Sequence, residues 1–405
     1  MSEAFFFVTL QVKEKHKMKI TSKLFLWIAM AFLVVSCDGP VGFAIHSAKV
    51  DDHSYRIDNG DDSVMSFVIR NKQMLLCGSI NGEPDTMLYD SGSGQYLVRF
   101  FNESNKPKGM KFYRIPMTGA DKKTHVKATV DSCRIELPIR RIKGMQTLML
   151  MDKTHACDHE LRVDQHPILG FPAMDGMMLD FSHNQFHERV RLKDIDTITE
   201  YLPVRCRRDL RGVLFVYLNI DGVERECIFD TGNSSGILLK DENRVEHPRK
   251  TDMLYEGSYG LAIGGKVSHQ HFVVAKDVPV DLNGNQDTCK VMYVKELKFD
   301  NVGLPYIMKY DWVIFGYMGK AYAKPRRAEL DDQSYSRFKN TRYGITTMDG
   351  KIKILCRLLD GKERYEVGDV IGTVNGEPIT SENICHYFEL LNEHENWDDF
   401  DIILK

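Results

Sequence analysis

Two stretches decide the fold: Met87-Leu88-Tyr89-Asp90-Ser91-Gly92 and, 140 residues later, Cys227-Ile228-Phe229-Asp230-Thr231-Gly232. Each Asp closes an apolar run and lies eight residues past the glycine of a hairpin-type turn, Asn81-Gly82 and Asp221-Gly222. Each is followed by an apolar run that ends in glycine. The first is Ile168-Leu169-Gly170, with its glycine 80 residues after Asp90; the second is Val313-Ile314-Phe315-Gly316, with its glycine 86 residues after Asp230. Average composition predicts only about 0.2 Asp-[Ser/Thr]-Gly tripeptides in a chain this long. Two of them in one matched frame are an internal repeat, and the repeat is expected to bring two carboxylates to one place.

Paired carboxylates a few ångströms apart cannot both ionise cheaply, so they share one proton near neutral pH. The ionised member can take a proton from a water held between them, and the protonated member can hydrogen-bond the carbonyl that this water attacks. That is general acid–base hydrolysis of an amide without a covalent intermediate. The Ser91 and Thr231 hydroxyls suit a supporting role, donating to nearby backbone and fixing the loops. Gly92 and Gly232 allow a close loop-to-loop approach that a side chain would block.

The chain has 405 residues, enough for two or three domains. Its 43% apolar and 27% charged residues are those of an ordinary folded protein. A net charge of −3 and the lack of a long basic run give no reason to expect nucleic acid as a partner. Short alternating strands, Ser66 to Ile69, Met74 to Ile80, Thr86 to Tyr89 and Tyr96 to Phe100, with turn signals between them, predict a mostly β architecture. Val126 to Val130 and Met145 to Met151 continue the pattern. A charged passage from Glu188 to Glu200 separates the first repeat from the second, which opens on Gly212 to Ile220. Lys320 to Asn340 reads as a linker or short helix.

The paired repeats resemble retropepsin-like aspartic proteases fused in tandem, as in pepsin-type enzymes, over roughly residues 65–325. Ile168-Leu169-Gly170-Phe171 followed by Met178-Leu179-Asp180-Phe181 is similar to the close of the bacterial members. The resemblance implies two β-barrel lobes, residues 65–195 and 205–325, with Asp90 and Asp230 as the catalytic pair. It implies no metal or organic cofactor and a peptide or unfolded protein as substrate. One chain supplies both lobes, so a monomer suffices. A glycine-bearing hairpin, the flap, covers the substrate in such enzymes; the candidates are Tyr113 with Gly119 and Tyr259 with Gly264. The same fold without activity would be a peptide-binding lipoprotein, the alternative reading. Residues 341–405, with Gly368-Asp369-Val370-Ile371 and Val374-Asn375-Gly376, resemble a small α+β PDZ domain, including a helix over Asn383 to Asn392 and a closing strand over Phe400 to Leu404. That family's carboxylate loop is replaced here by Arg342-Tyr343-Gly344-Ile345.

At the N-terminus, Met18, Lys19 and Lys23 precede the apolar stretch Leu24 to Val35. This is a charged leader followed by a segment short for a bilayer span. Val34-Val35-Ser36-Cys37 resembles a bacterial lipobox. Residues 1–37 are therefore expected to be a signal peptide with lipidation at Cys37, and residues 38–64 a linker with an N-terminal strand. The chain would be lipid-anchored in the bacterial cell envelope, periplasmic or associated with the outer membrane.

Eight cysteines remain, irregularly spaced. A Cys133–Cys157 pair is permitted, while Cys77 and Cys227 read as core residues. His155, Cys157, His159, Glu160 and His166 do not make the zinc-helix motif, because Val163 stands where a second His is needed. His183 and His187 are four apart without an evident third ligand, His269 and His271 alternate on a strand, and no Ser or Cys nucleophile sits in a recognisable elbow.

Overall fold

The computed structural model describes residues 39–50, 56–70, 72–101, 106–118, 123–151, 166–188, 200–210, 212–262, 265–266, 268–326, 340–348 and 350–405. The protein is mostly β, as the alternation predicts. A nine-stranded sheet carries Asp90, a ten-stranded sheet carries Asp230, and a six-stranded sheet takes strands from both halves of the chain.

The local sequence explains both Asp-bearing strands. At Asn81-Gly82 and at Asp221-Gly222 both residues have positive φ, 55° and 88° at the first and 52° and 84° at the second. That is the two-residue turn whose twist matches paired strands, and Asn or Asp followed by Gly is the sequence that tolerates it. Gln73–Ile80 therefore pairs with Glu83–Asp90, and Leu214–Ile220 with Val223–Asp230. Met87, Leu88 and Tyr89 are buried, as are Cys227 and Phe229, so each Asp leaves the core at the end of an apolar strand.

A third strand then runs parallel to each. Ile168–Gly170 lies beside Glu83–Asp90 with Gly170 opposite Asp90. In the second half the partner is Asp300–Gly303, with Gly303 opposite Asp230. The expected glycine, Gly316, is thus replaced in this role by Gly303. Val313 to Phe315 belongs to the fully buried central strand Tyr310–Phe315, and the Gly316 N–H donates to the Asp175 carboxylate at 2.7 Å. The repeat extends beyond the paired motifs: each glycine opens a short helix with proline at its start, Phe171–Met174 and Leu304–Ile307.

The six-stranded sheet takes three strands from each half, in the order Leu202–Val204, Lys320–Pro325, Tyr310–Phe315, Met178–Asp180, Gln185–His187, Val64–Ser66. The halves meet at its centre, where Leu179 faces Trp312 and Met178 faces Val313. Lys320–Pro325 is thus a strand rather than the start of a linker or helix; its buried Ala321 and Ala323 are small and alternate with Lys320, Tyr322 and Lys324, a weak apolar signal. Tyr89 packs edge-on against Phe186, with ring centroids 5.3 Å apart, and Phe229 against Trp312 at 4.9 Å. These residues belong to one apolar cluster running from Met65 to Ala323, so the two Asp loops share a core.

The segment expected as a linker contains a helix, Pro40–Val50, seated on the first half: Phe43 and Val50 pack on the cluster of Leu88, Tyr113 and Ile168, and His46 Nε2 lies 3.0 Å from the Val130 carbonyl. The expected strands at 126–130 and 145–151 are parts of the longer Lys123–Leu137 and Arg140–Met151. Residues 340–405 have their own apolar cluster around Tyr343, Ile354, Leu391 and Trp397, with the helix Ile384–Glu393 and the final strand Ile402–Leu404 where the sequence predicts them. Their hairpin strand Lys351–Leu358 continues the ten-stranded sheet by pairing with Met253–Gly257, and Arg357 adds an ion pair to Glu256 at 3.1 Å.

Candidate active site

Asp90 and Asp230 are brought together, and the loops that carry them are near copies. Asp90 Oδ1 accepts the N–H groups of Gly92 at 2.9 Å and Ser93 at 3.1 Å. Asp230 Oδ1 accepts those of Gly232 at 2.9 Å and Asn233 at 3.1 Å. Each carboxylate is therefore held by its own loop backbone, and the two carboxyl groups hydrogen-bond one another. A Cβ placed on Gly92 would lie 2.5 Å from Asp230 Cγ, and one on Gly232 would lie 2.6 Å from Asp90 Cγ. Each glycine thus sits directly against the opposing carboxylate.

The hydroxyls behind the pair cross between the loops. Ser91 N–H donates to Thr231 Oγ1 at 3.0 Å, and Thr231 N–H donates to Ser91 Oγ at 2.9 Å. Ser91 Oγ–H in turn donates to the Phe229 carbonyl at 2.8 Å, and Thr231 Oγ1–H to the Tyr89 carbonyl at 2.9 Å. The sequence predicts that these hydroxyls fix nearby backbone; the backbone they hold is that of the opposite loop. Both residues are fully buried, and the four bonds satisfy each hydroxyl as donor and acceptor. Thr231→Val keeps the shape but leaves the Ser91 N–H and the Tyr89 carbonyl without partners. It should cost on the order of 3 kcal/mol in denaturant unfolding, with the change in midpoint carrying the effect.

One side chain breaks the symmetry. Asn301, two residues before Gly303, donates Nδ2–H to Asp230 Oδ2. Its Oδ1 accepts from Asn233 Nδ2 at 2.7 Å, and Asn233 Oδ1 accepts from the Ser235 N–H at 2.8 Å. The first half carries Ile168 at the corresponding place, packed in the apolar cluster of Leu88 and Val98. Sequence reasoning missed Asn301 because it missed Gly303; a search for a glycine beside a short proline-led helix would have found both.

Burial pushes both carboxyls above the ordinary range. For Asp90 the charge of Asp230 and their shared hydrogen bond push further the same way, against the Gly92 and Ser93 N–H groups, and its pKa stands well above the usual value. For Asp230 the Asn301 amide, the bond from Asp90 and the Gly232 and Asn233 N–H groups all counter the burial. Behind Asp90, burial and the nearby Asp175 and Asp90 charges hold the Tyr89 phenol protonated.

The remaining expected site residues are placed as follows. Tyr113 is buried at the start of Tyr113–Thr118, edge-on to Phe43 at 6.3 Å and beside His46 at 5.7 Å, which makes it a packing residue of the first sheet. Tyr259 packs edge-on against Phe272 at 6.1 Å, next to the small hairpin Leu261–Ala262 with Gly265–Lys266. Gly119, Gly264, the Cys37 lipidation site with its leader, and His155, Cys157, His159 and Glu160 lie outside the described residues. Cys133 is buried and accepts from Thr147 Oγ1 at 2.6 Å, and the seven described cysteines are free thiols. Cys227 is in the core as expected, whereas Cys77 is exposed on the outer face of its strand. His183 and His187 each turn a ring nitrogen toward Asp180 Oδ2, at 2.9 and 3.2 Å. Among the described residues no cluster of His, Cys, Asp and Glu could hold a metal ion, and no helix is long and apolar enough to cross a membrane.

No protein-family model matches the chain, and no curated protein does. Among solved structures, the crystal structure of Basic 7S globulin from soybean aligns with a TM-score of 0.38 and 9% identity. The alignment covers 67% of this chain and 95% of that one, and the likeness is too slight to assign a shared fold.

Proposed function

We propose that the chain is an aspartic endopeptidase whose two retropepsin-like lobes supply Asp90 and Asp230, with a PDZ-like domain over residues 341–405. The observation that carries this reading is the reciprocal Ser91–Thr231 crossing, which holds two carboxyl groups in hydrogen-bonding contact with glycines at the point of closest approach. One proton serves the pair. The ionised carboxylate accepts a proton from a bound water as that water's oxygen attacks the peptide carbonyl. The protonated carboxyl gives its proton to the carbonyl oxygen, forming a tetrahedral diol. Collapse of the diol breaks the C–N bond as the proton taken from water passes to the leaving nitrogen. One diol hydroxyl returns its proton to the carboxylate that had protonated the carbonyl, which restores the shared proton. No covalent enzyme intermediate arises. Substrate would be an extended peptide or unfolded protein, and the lipobox-like leader would anchor the enzyme in the cell envelope through Cys37.

Incubation of residues 38–405 with unfolded protein at mildly acid pH tests the reading. Cleavage by the wild type that disappears in Asp90→Asn and in Asp230→Asn supports it. Binding of the unfolded chain without cleavage would refute it in favour of a peptide-binding lipoprotein.

A further inference from the structure

We propose that Asn301 is a positioning residue that assigns the proton: it keeps Asp230 as the carboxylate that receives the water proton and leaves the shared proton on Asp90. This rests on the water-activating reading of the same pair, and it concerns which member does which task.

The direction of the relay is fixed at its far end. A backbone N–H can only donate, so the Asn233 atom facing Ser235 N–H is its oxygen, and the Asn233 amide nitrogen must point the other way. Asn301 then has to offer its oxygen to Asn233 and its N–H to Asp230. A proton on Asp230 Oδ2 would meet that N–H head-on, and Asp230 Oδ1 already accepts from Gly232 and Asn233. Three N–H groups therefore favour the ionised form of Asp230. Asp90 receives two, both on Oδ1, so its other oxygen is where a proton fits.

The first half shows the same architecture without the relay. Ser93 takes the place of Asn233, its Oγ accepting the Gln95 N–H at 3.3 Å, and Ile168 takes the place of Asn301. Ile168 is apolar and packed away in the core, so it offers Asp90 nothing. The two halves are therefore chemically unequal at two corresponding positions, Ser93 against Asn233 and Ile168 against Asn301. Among the described residues, Tyr89 is a further titratable group close to the pair, with Arg140 and Asp175 beyond it.

The test gives the second half the side chains of the first. Asn301→Ile and Asn233→Ser are compared with the wild-type chain by the pH profile of kcat/KM. In Asn301→Ile the acid limb should move up by about one pH unit, because the ionised Asp230 loses a donor. Asn233→Ser should move it by less, and the alkaline limb and KM should barely change. An acid limb that stays put in folded Asn301→Ile, or a shift confined to the alkaline limb, would overturn the assignment. Titration of the two carboxyl carbons by NMR reads the proton without turnover: Asp230 should lose its proton at lower pH than Asp90, and the gap should narrow in Asn233→Ser. Absence of cleavage by the wild type would defeat the protease reading alone, whereas Asp90 ionising first would defeat the assignment alone. Should Asn301→Ile not fold, the wild-type and Asn233→Ser titrations decide.

Discussion

Asp90→Asn and Asp230→Asn should each lower kcat/KM by about 10³–10⁴-fold, and the double variant should be no worse than either one. On the proposed mechanism the pair would act as a unit: with one member gone there would be either no base for the water or no acid for the carbonyl. Steady-state kinetics on one peptide measures all three. The same variants should part company in stability. Asn at position 90 keeps an oxygen for the Gly92 and Ser93 N–H groups and can donate to Asp230, so it mimics the protonated carboxyl. Asn at position 230 must satisfy the Gly232 and Asn233 N–H groups while turning its own NH2 toward the Asn301 amide, which sets donor against donor.

The pH dependence follows from the direction of the Asp90 shift. A carboxyl whose folded pKa is raised binds its proton more tightly in the folded than in the unfolded chain. Its stabilising contribution is full at low pH and is lost as pH rises from about 4 through the raised folded value. Wild-type melting temperature should therefore fall across that window, and the fall should be smaller in Asp90→Asn. Equal slopes from pH 4 to 8 would mean that Asp90 is not the proton holder.

Gly92→Ala and Gly232→Ala carry the second large effect. Neither glycine has positive φ, so the backbone itself would accept alanine. What forbids it is the opposite loop, since the new methyl would lie 2.5 or 2.6 Å from a carboxylate carbon. Relief requires the loops to separate and the crossed Ser91 and Thr231 bonds to lengthen. Each variant should lose about 1–3 kcal/mol of stability and, on the proposed mechanism, nearly all activity, because the carboxylates would no longer share one water. Gly222→Ala is the control: it has positive φ of 84° and open space, so it should cost stability while leaving the activity of the folded fraction intact. Thermal unfolding alongside specific activity separates the two outcomes.

The sequence made the Asp loops legible because their requirements are local. Asn-Gly and Asp-Gly turns, an apolar strand and a small residue after each Asp are properties of neighbouring residues, and the structure uses all of them. Gly303 was hidden because its strand begins Asp300-Asn301, polar residues where the first half has Ile168 and a proline before it. Asn301 could not be singled out, since its role depends on a partner 71 residues away in the chain. The helix Pro40–Val50 escaped for a similar reason: it gains its place from Phe43 and His46 against the first sheet rather than from its own pattern. The crossing of Ser91 and Thr231 is a contact across 140 residues, and only the repeat itself hinted at it.

The central claim is that Asp90 and Asp230 converge on one tetrahedral centre. The most direct measurement is the affinity of a cleavable peptide in which the scissile amide is replaced by a hydroxyl-bearing tetrahedral carbon. The wild type should bind it at least about 10²-fold more tightly than the amide parent, and that gain should vanish in both Asp90→Asn and Asp230→Asn. Equal affinity for mimic and parent, or a gain that survives either substitution, would contradict the account.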